Sequence, residues 1–453
     1  MPRTPGQKMS ATAAAPLYPG YPIIGVLPRF VRDTYRFIGE EVPRAGGLVR
    51  VKAGPMTFHV VSHPDHLQRI LRDNFRNYLK RDAMAPLARI SRGDSLTTMD
   101  GDPWLQRRRL LQPYFHHRSV HQLVSRMQQA VQDQVPYLDA WADGGRYQDA
   151  VDVLRDVTIR VFMRFFYGTT FTDEQTKQMG RQMGYAIRYT YFRYRFDFLP
   201  QWSPFPGKRA FEEAVASVAR TTDEMLERKR GEAGAEDLLA MLVGAAEHGQ
   251  MTRDELRAEV VGLFTGGWET ASAVLSWVLY LLARDPALEA RLSEEARRES
   301  APAKAMEDVQ RLALIRMTIQ ETMRLYPITP ILSRTADAAD EIGGYRIPAG
   351  SQLLLAISAA HRHPDFWERP EDFWPERFEG GAEAAARHPY AYLPFAAGPR
   401  QCIGMEFARL QMHLLLREVL ARYRLQLEPG YTLRAATDAT YMPAALPLRL
   451  ARA

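Results

Sequence analysis

The single cysteine of the 453-residue chain carries its strongest chemical signal. Cys402 lies in Phe395-Ala396-Ala397-Gly398-Pro399-Arg400-Gln401-Cys402-Ile403-Gly404, and a helical run from Met405 to Leu420 follows at once. A cysteine just before a helix faces oriented N–H groups and the positive end of the dipole, and both favour thiolate over thiol. A thiolate is what a haem iron needs as a strongly donating axial ligand. Gly398 allows the loop to double back, and Gly404 lets the following backbone approach a macrocycle. Arg400, two residues from the sulfur, is placed to reach a propionate or to moderate the negative charge. A lone cysteine is more often an inert core residue, but Phe-x-x-Gly-x-Arg-x-Cys-x-Gly fixes five positions at once and favours the ligand.

A second set of residues, Gly266-Gly267-Trp268-Glu269-Thr270, sits inside a long helical pattern. Glycine in a helix interior costs about 1 kcal/mol relative to Ala, so the pair needs a reason. Removing side-chain bulk admits either a flat or small ligand or a closely packed neighbouring helix, and on the glycines alone the two readings stand even. Thr270 competes for the loosened carbonyls.

The elements that must hold these groups are mostly helices: Ala-, Leu-, Arg- and Glu-rich segments with apolar residues three and four apart. The helix carrying the glycines opens with a capping box, Thr252-Arg253-Asp254-Glu255, and its pattern persists to Arg284, where Asp285-Pro286 stops it. Such a helix spans on the order of 50 Å at 1.5 Å per residue. Leu48 to Ala53 and Phe58 to Ser62, split by Gly54-Pro55-Met56-Thr57, read as a β-hairpin, and a second extended region runs from Gly344 into Leu355. The expectation is a mainly α fold with a small β part, in one domain over 1–453, with residues 1–20 an N-terminal extension. No repeat and no linker divides it.

Composition narrows the classes. With 46% hydrophobic and 25% charged residues the chain is globular rather than disordered or fibrous. One cysteine excludes a disulfide framework or a Cys-based zinc cluster, and none of the histidines shows metal-ligand spacing. Lys+Arg of 59 against Asp+Glu of 53, without basic blocks, points to an acidic partner surface and not to nucleic acid. The longest apolar run, Ala273 to Ala283, is interrupted by Ser276, and the first 16 residues are too weakly apolar for a signal peptide. A cytoplasmic protein without a stable membrane anchor is expected.

On these residues the chain resembles the cytochrome P450 haem-thiolate monooxygenases of the bacterial, soluble type, whose signature loop has the form of Phe395 to Gly404. The resemblance runs along most of the chain. Glu321-Thr322-Met323-Arg324 is similar to the family's Glu-x-x-Arg helix, and Pro375-Glu376-Arg377-Phe378 to the segment whose Arg completes that ion network. Alone, Glu and Arg at i, i+3 form an exposed pair contributing a few tenths of a kcal/mol; the resemblance implies instead that Glu321, Arg324 and Arg377 brace the cysteine loop. Gly266 to Thr270 matches the small-Gly-x-acid-Thr element, with Gly266 where Ala is commoner. It implies Glu269 and Thr270 as the catalytic pair, the hydroxyl hydrogen-bonding dioxygen while the carboxylate feeds protons. Asp102-Pro103-Trp104 reads as an N-cap with a first-turn Pro, placing Trp104 and Arg108 on one face. By resemblance these two grip a haem propionate; the alternative is a solvated basic face of Arg107, Arg108 and Arg109. Arg334 occupies the family's other propionate position. The implied fold has a long central helix over haem b, an iron protoporphyrin IX bound by Cys402 and surrounded by Phe395, Gly398, Arg400, Gly404, Gly266 and Gly267.

The resemblance implies insertion of one oxygen atom of dioxygen into an apolar small molecule of terpene, polyketide, steroid or fatty acyl type, by a monomer. Leu87, Phe264, Ile328 and Ile331 are candidate pocket residues. Only 51 residues follow Cys402 (453 − 402), so no fused reductase is expected, and electrons are to come from a ferredoxin or flavodoxin with its NAD(P)H reductase. Arg400, Arg409, Arg417, Arg422 and Arg424, with Arg107, Arg109 and Arg118, are the basic residues expected to face such an acidic donor. The stretch from Tyr185 to Trp202 interleaves aromatics with Arg188, Arg193 and Arg195; by resemblance it is the helix-loop-helix over the substrate channel, with its arginines in water. Two rivals are a haem-thiolate peroxygenase or isomerase, which would dispense with delivered protons, and a non-enzymatic haem sensor, which would not need an acid-alcohol pair.

Overall fold

The computed structural model describes residues 13–80, 89–91, 93–115, 123–168, 172–194, 196, 203–230, 237–380, 386–437 and 440–453. The chain forms two compact units: Met1–Asp82 with Thr329–Glu371 and Arg387–Gln401, and Ala83–Ile328 with Asp372–Ala386 and Cys402–Ala453.

The first unit is built on a five-stranded sheet of β1 (Leu48–Ala53), β2 (Met56–Val61), β3 (Tyr78–Leu79), β4 (Ile331–Ala336) and β5 (Gln352–Ala356), in the order β1-β2-β5-β4-β3. Only β2 and β5 run parallel. The β1–β2 hairpin is tighter than its sequence suggests, with Ala53 opposite Met56. The left-handed backbone at Gly54, φ +61°, reverses the chain in two residues and returns Met56 and Thr57 to the strand. On β5, Leu353 and Leu355 enter one core cluster and Leu354 and Ala356 another, so the strand is covered on both faces and reads as an unbroken apolar run.

The second unit is helical: α1 (Gly101–Leu111), α2 (Ala150–Tyr167), α3 (Asp173–Tyr194), α4 (Lys208–Arg230), α5 (Arg253–Gly267), α6 (Glu269–Arg284), α7 (Ala313–Leu325) and α8 (Met405–Arg422) are the elements that matter here. The capping box forms as expected: Thr252 Oγ1 accepts from Glu255 N at 3.2 Å, and Thr252 N donates to Glu255 Oε2 at 2.8 Å. The single helix expected from Thr252 to Arg284 is two, broken at Trp268, whose φ and ψ are −110° and −46°. Thr158 on α2 donates to the Trp268 carbonyl at 3.1 Å, and Ser272 N reaches that same oxygen only at 3.4 Å. A side chain from a neighbouring helix has replaced part of the i→i−4 ladder beside two glycines.

Between α3 and α4, Tyr189 stacks on Phe211 at 4.6 Å, and Phe192 and Phe196 both meet Phe205. Arg193 was expected in water but is buried, its guanidinium 5.0 Å over the Phe205 ring and donating to Phe196 O at 2.7 Å. The Phe205 ring and the Phe196 carbonyl offset part of the cost of desolvating the charge. Arg417 on α8 is buried too, bonded to Gln128 and Glu418 at 2.5 and 2.7 Å, and so is not on a docking surface.

Candidate active site

In the second unit, Cys402 is exposed and precedes α8, whose N-cap is Gly404. A Cβ on Gly404 would meet nothing within 4 Å. The expected N-cap at Asp102 lies two residues too late: α1 begins at Gly101, with Asp100 at the cap position, and the φ of +64° at Gly101 turns the chain in early. Trp104 and Arg107 are buried, Arg108 is half-buried and Arg109 exposed. Burial lowers the pKa of Arg108, and the charge of Cys402 acts to raise it again, so the guanidinium and the sulfur lie within electrostatic reach. The solvated basic face of Arg107 to Arg109 is thereby excluded for Arg107. Its Nη1 donates to Glu259 Oε2 at 3.2 Å and its Nη2 to Glu255 Oε1 at 3.0 Å, both on α5. Arg107 therefore does not face a donor either. Arg118 and Leu87 lie outside the described residues.

The two glycines answer to different reasons. Gly266 is exposed, and among the described residues a Cβ there would meet nothing within 4 Å; a Cβ on Gly267 would stand 2.0 Å from Phe162 Cε2 of α2. One position leaves room for a ligand and the other serves helix packing. Thr270 Oγ1 donates to Gly266 O at 3.1 Å. Glu269 is buried, accepting from Arg155 Nη2 at 3.5 Å and from Thr440 Oγ1 at 3.3 Å. Neither partner was legible, since both are far away in sequence and in no motif. Arg155 also donates to Met442 Sδ at 3.2 Å, and Tyr441 between them accepts from Trp277 Nε1 at 2.9 Å.

Glu321, Arg324 and Arg377 are buried together. Arg324 Nε and Nη2 donate to the two oxygens of Glu321 at 2.8 Å each, and Arg377 Nε donates to Oε1 at 3.0 Å, as does the backbone N–H of Trp374. The exposed-pair reading fails because a second arginine and a backbone donor complete the desolvated carboxylate. Phe264 was expected to line a pocket but is fully buried, packed against Phe162 and Trp268, and belongs to the core. Ile328 is half-buried.

In the first unit, Arg334 on β4 is buried and donates to Ser333 O at 2.6 Å. Ile331, Phe395 and Arg400 are half-buried. Gly398, at φ +71°, is pressed on the backbone, where a Cβ would fall 1.9 Å from Leu71 O, so only glycine lets the loop double back.

The donor set suits a haem: one exposed thiol at the head of a helix, a half-buried guanidinium within its reach, and two glycines facing open space. Among the described residues no cluster of three His, Cys, Asp or Glu is arranged to hold a metal ion, and no helix is long and apolar enough to cross a membrane.

The family model for cytochrome P450 matches residues 16–443. The chain is 29% identical over 439 residues to a cyclooctat-9-en-7-ol 5-monooxygenase of Streptomyces melanosporofaciens, covering 95% of this chain and 93% of the relative. It is 28% identical over 439 residues to a pentalenene oxygenase of Streptomyces avermitilis, covering 95% of each. The crystal structure of the cytochrome P450DA heme domain superposes with a TM-score of 0.84 at 25% identity, covering 97% of this chain and 98% of that one.

Proposed function

The chain belongs to the cytochrome P450 family, and from that premise we propose that it is a haem-thiolate monooxygenase whose iron is held by Cys402 and whose proton delivery runs through Glu269 and Thr270. The observation that carries this is Cys402 itself, the only thiol in the chain, exposed ahead of α8 and within electrostatic reach of the half-buried Arg108. Bound haem supplies the activation of dioxygen and the transfer of one oxygen atom.

The chain's own residues do the rest. Arg108, half-buried in the second unit, is a propionate donor, and burial makes its charge felt. Trp104 fixes the wall of α1 beside Arg108. Gly398 and Gly404 shape the loop, and the Glu321–Arg324–Arg377 network holds Glu321 and Trp374 in register. Thr270 Oγ1, which donates to the Gly266 carbonyl, would have to turn that hydrogen away from it to serve a ligand at the open face. Glu269 must leave Arg155 or Thr440 to carry a proton to it.

The substrate class is a terpene-like hydrocarbon skeleton, a reading supported by relatives named for pentalenene and cyclooctat-9-en-7-ol. Electrons come from a ferredoxin or flavodoxin with its NAD(P)H reductase, steered by the exposed Arg109 and the half-buried Arg409, which is paired with Glu406 at 3.0 Å. The family match spans residues of both units, which supports a single functional oxygenase over residues 16–443. Reduction under carbon monoxide should give the strongly red-shifted Soret band of thiolate-bound haem, and Cys402→Ser should abolish it. A Cys402→Ser protein that keeps the band and turns over substrate would overturn the assignment. Thr270→Ala should keep the band while product per NADPH falls and peroxide rises; unchanged coupling would mean another proton route.

A further inference from the structure

The segment Gly93–Met99 lies along one ridge of α5. Ala258, Gly262 and Gly266 recur at i, i+4 and share a face of the helix. A Cβ on Gly93 would stand 2.6 Å from the Ala258 Cβ, and a Cβ on Gly262 would stand 2.6 Å from Ser95 Oγ. One turn further on, the face at Gly266 is open among the described residues, with none of them within 4 Å of a Cβ built there. The segment thus ends where the open stretch of the helix begins.

The segment is closed on itself. Thr98 Oγ1 donates to Gly93 O at 2.7 Å and accepts from Ser95 N at 3.0 Å, while Met99 N donates to Ser95 O at 2.9 Å. Glu259 joins it to α5: Oε2 accepts from Leu96 N at 3.0 Å and from Arg107 Nη1 at 3.2 Å. Glu259 is fully buried, and its other oxygen, Oε1, has no hydrogen-bond partner. An apolar side chain of that size would avoid the unsatisfied oxygen but would leave Leu96 N–H and the buried Arg107 without this acceptor, so the carboxylate holds the segment, α1 and α5 at one point.

We propose that Glu259 is a positioning residue that fastens Gly93–Met99 as a wall beside the open face at Gly266, and that this wall limits the size of ligand accepted there. The tether is independent of any cofactor; the ligand site rests on the haem-thiolate reading.

The test uses the haem-loaded full chain and two probes that bind iron directly, imidazole and the bulkier 4-phenylimidazole, titrated by the Soret shift, together with amide hydrogen exchange at Leu96. In Glu259→Leu the Leu96 amide should exchange at least about tenfold faster, the loss expected for one charge-assisted hydrogen bond. The 4-phenylimidazole affinity should rise about tenfold relative to imidazole, with imidazole itself within about twofold of the parent. Glu259→Gln, which keeps an acceptor, should move both readouts less. Gly262→Ala, which displaces Ser95 without touching the carboxylate, should shift the probe ratio in the same direction and guards against misfolding of the leucine variant. Unchanged exchange at Leu96 would overturn the tether. A constant probe ratio in both Glu259→Leu and Gly262→Ala would overturn the wall. Absence of any Soret shift in the parent would instead defeat the haem-thiolate reading, with the exchange measurement still deciding the tether.

Discussion

Gly266 and Gly267 are adjacent in sequence and opposite in circumstance, and alanine at each should show it. At Gly267 the new Cβ falls 2.0 Å from Phe162 Cε2, 2.4 Å from Cδ2 and 2.9 Å from Cζ, so the ring must retreat before ordinary contact is restored. It has nowhere to go. Phe162 is 2% exposed and packs on Phe166 at 4.9 Å, Tyr167 at 5.5 Å and Phe407 at 5.9 Å. An overlap that deep belongs at the upper end of the range for overpacking, about 3 kcal/mol, and the helix-propensity gain of Ala over Gly returns about 1 kcal/mol, leaving a net loss of about 2 kcal/mol. At Gly266 no steric cost offsets the propensity gain, so Gly266→Ala should be more stable than the parent by up to about 1 kcal/mol. The two variants, melted beside the parent by far-UV circular dichroism, should move in opposite directions. The Cβ at position 266 enters the open face instead, so its cost should appear in ligand affinity. A Gly267→Ala protein as stable as the parent, or a Gly266→Ala protein less stable, would refute the division of labour between packing and ligand.

Removing one member of the buried ion network should be severe: Arg377→Leu leaves Glu321 desolvated with one donor fewer, at a cost of about 3–5 kcal/mol, read as a lowered melting temperature and loss of haem retention. Burial pushes the Glu259 carboxyl up to about 7 from 4.5, against the opposing pull of Leu96 N and Arg107, with Glu255 on its own helix and Tyr167 on α2 the other ionisable groups nearby. A raised folded pKa favours the folded state at low pH, so this group's contribution is full below 4.5 and is lost as pH rises through 7, by about 3 kcal/mol in all. Glu259→Gln should remove that decline from denaturant-derived stabilities at pH 5 and pH 8; an equal decline in the variant would show that the carboxyl does not titrate there. Electron transfer from an acidic donor should slow steeply as the screening length falls from roughly 10 Å at 0.1 M salt to about 3 Å at 1 M. Arg409→Glu should lower the stopped-flow rate of first reduction without changing substrate affinity, and a rate indifferent to both salt and reversal would mean apolar docking.

What the sequence made legible was local chemistry. The capping box at Thr252 needs only four residues, and the hairpin around Gly54 follows from two short apolar runs, although its turn takes two residues where the sequence suggested four. What stayed hidden depends on partners brought from far along the chain. The break at Trp268 is made by Thr158, and the hold on Glu269 by Arg155 and Thr440; neither leaves a trace in the helical pattern around residue 268. Three arginines show the same limit most clearly. Arg107, Arg193 and Arg417 each sit among other basic residues in sequence and read as solvated charge, yet each is buried, against two glutamates of α5, the Phe205 ring, and Gln128 with Glu418. A charge count fixes how many arginines there are; the acids and rings they meet decide which of them a partner can feel. The basic surface available to an electron donor is therefore smaller than the count implies, and the charge removed from it has gone into joining α1 to α5 and anchoring α8. The arginine next to the candidate propionate donor Arg108 is one of these joints. A substitution at Arg107 should accordingly disturb the seating of α1, and with it Arg108, before it disturbs any encounter with a partner.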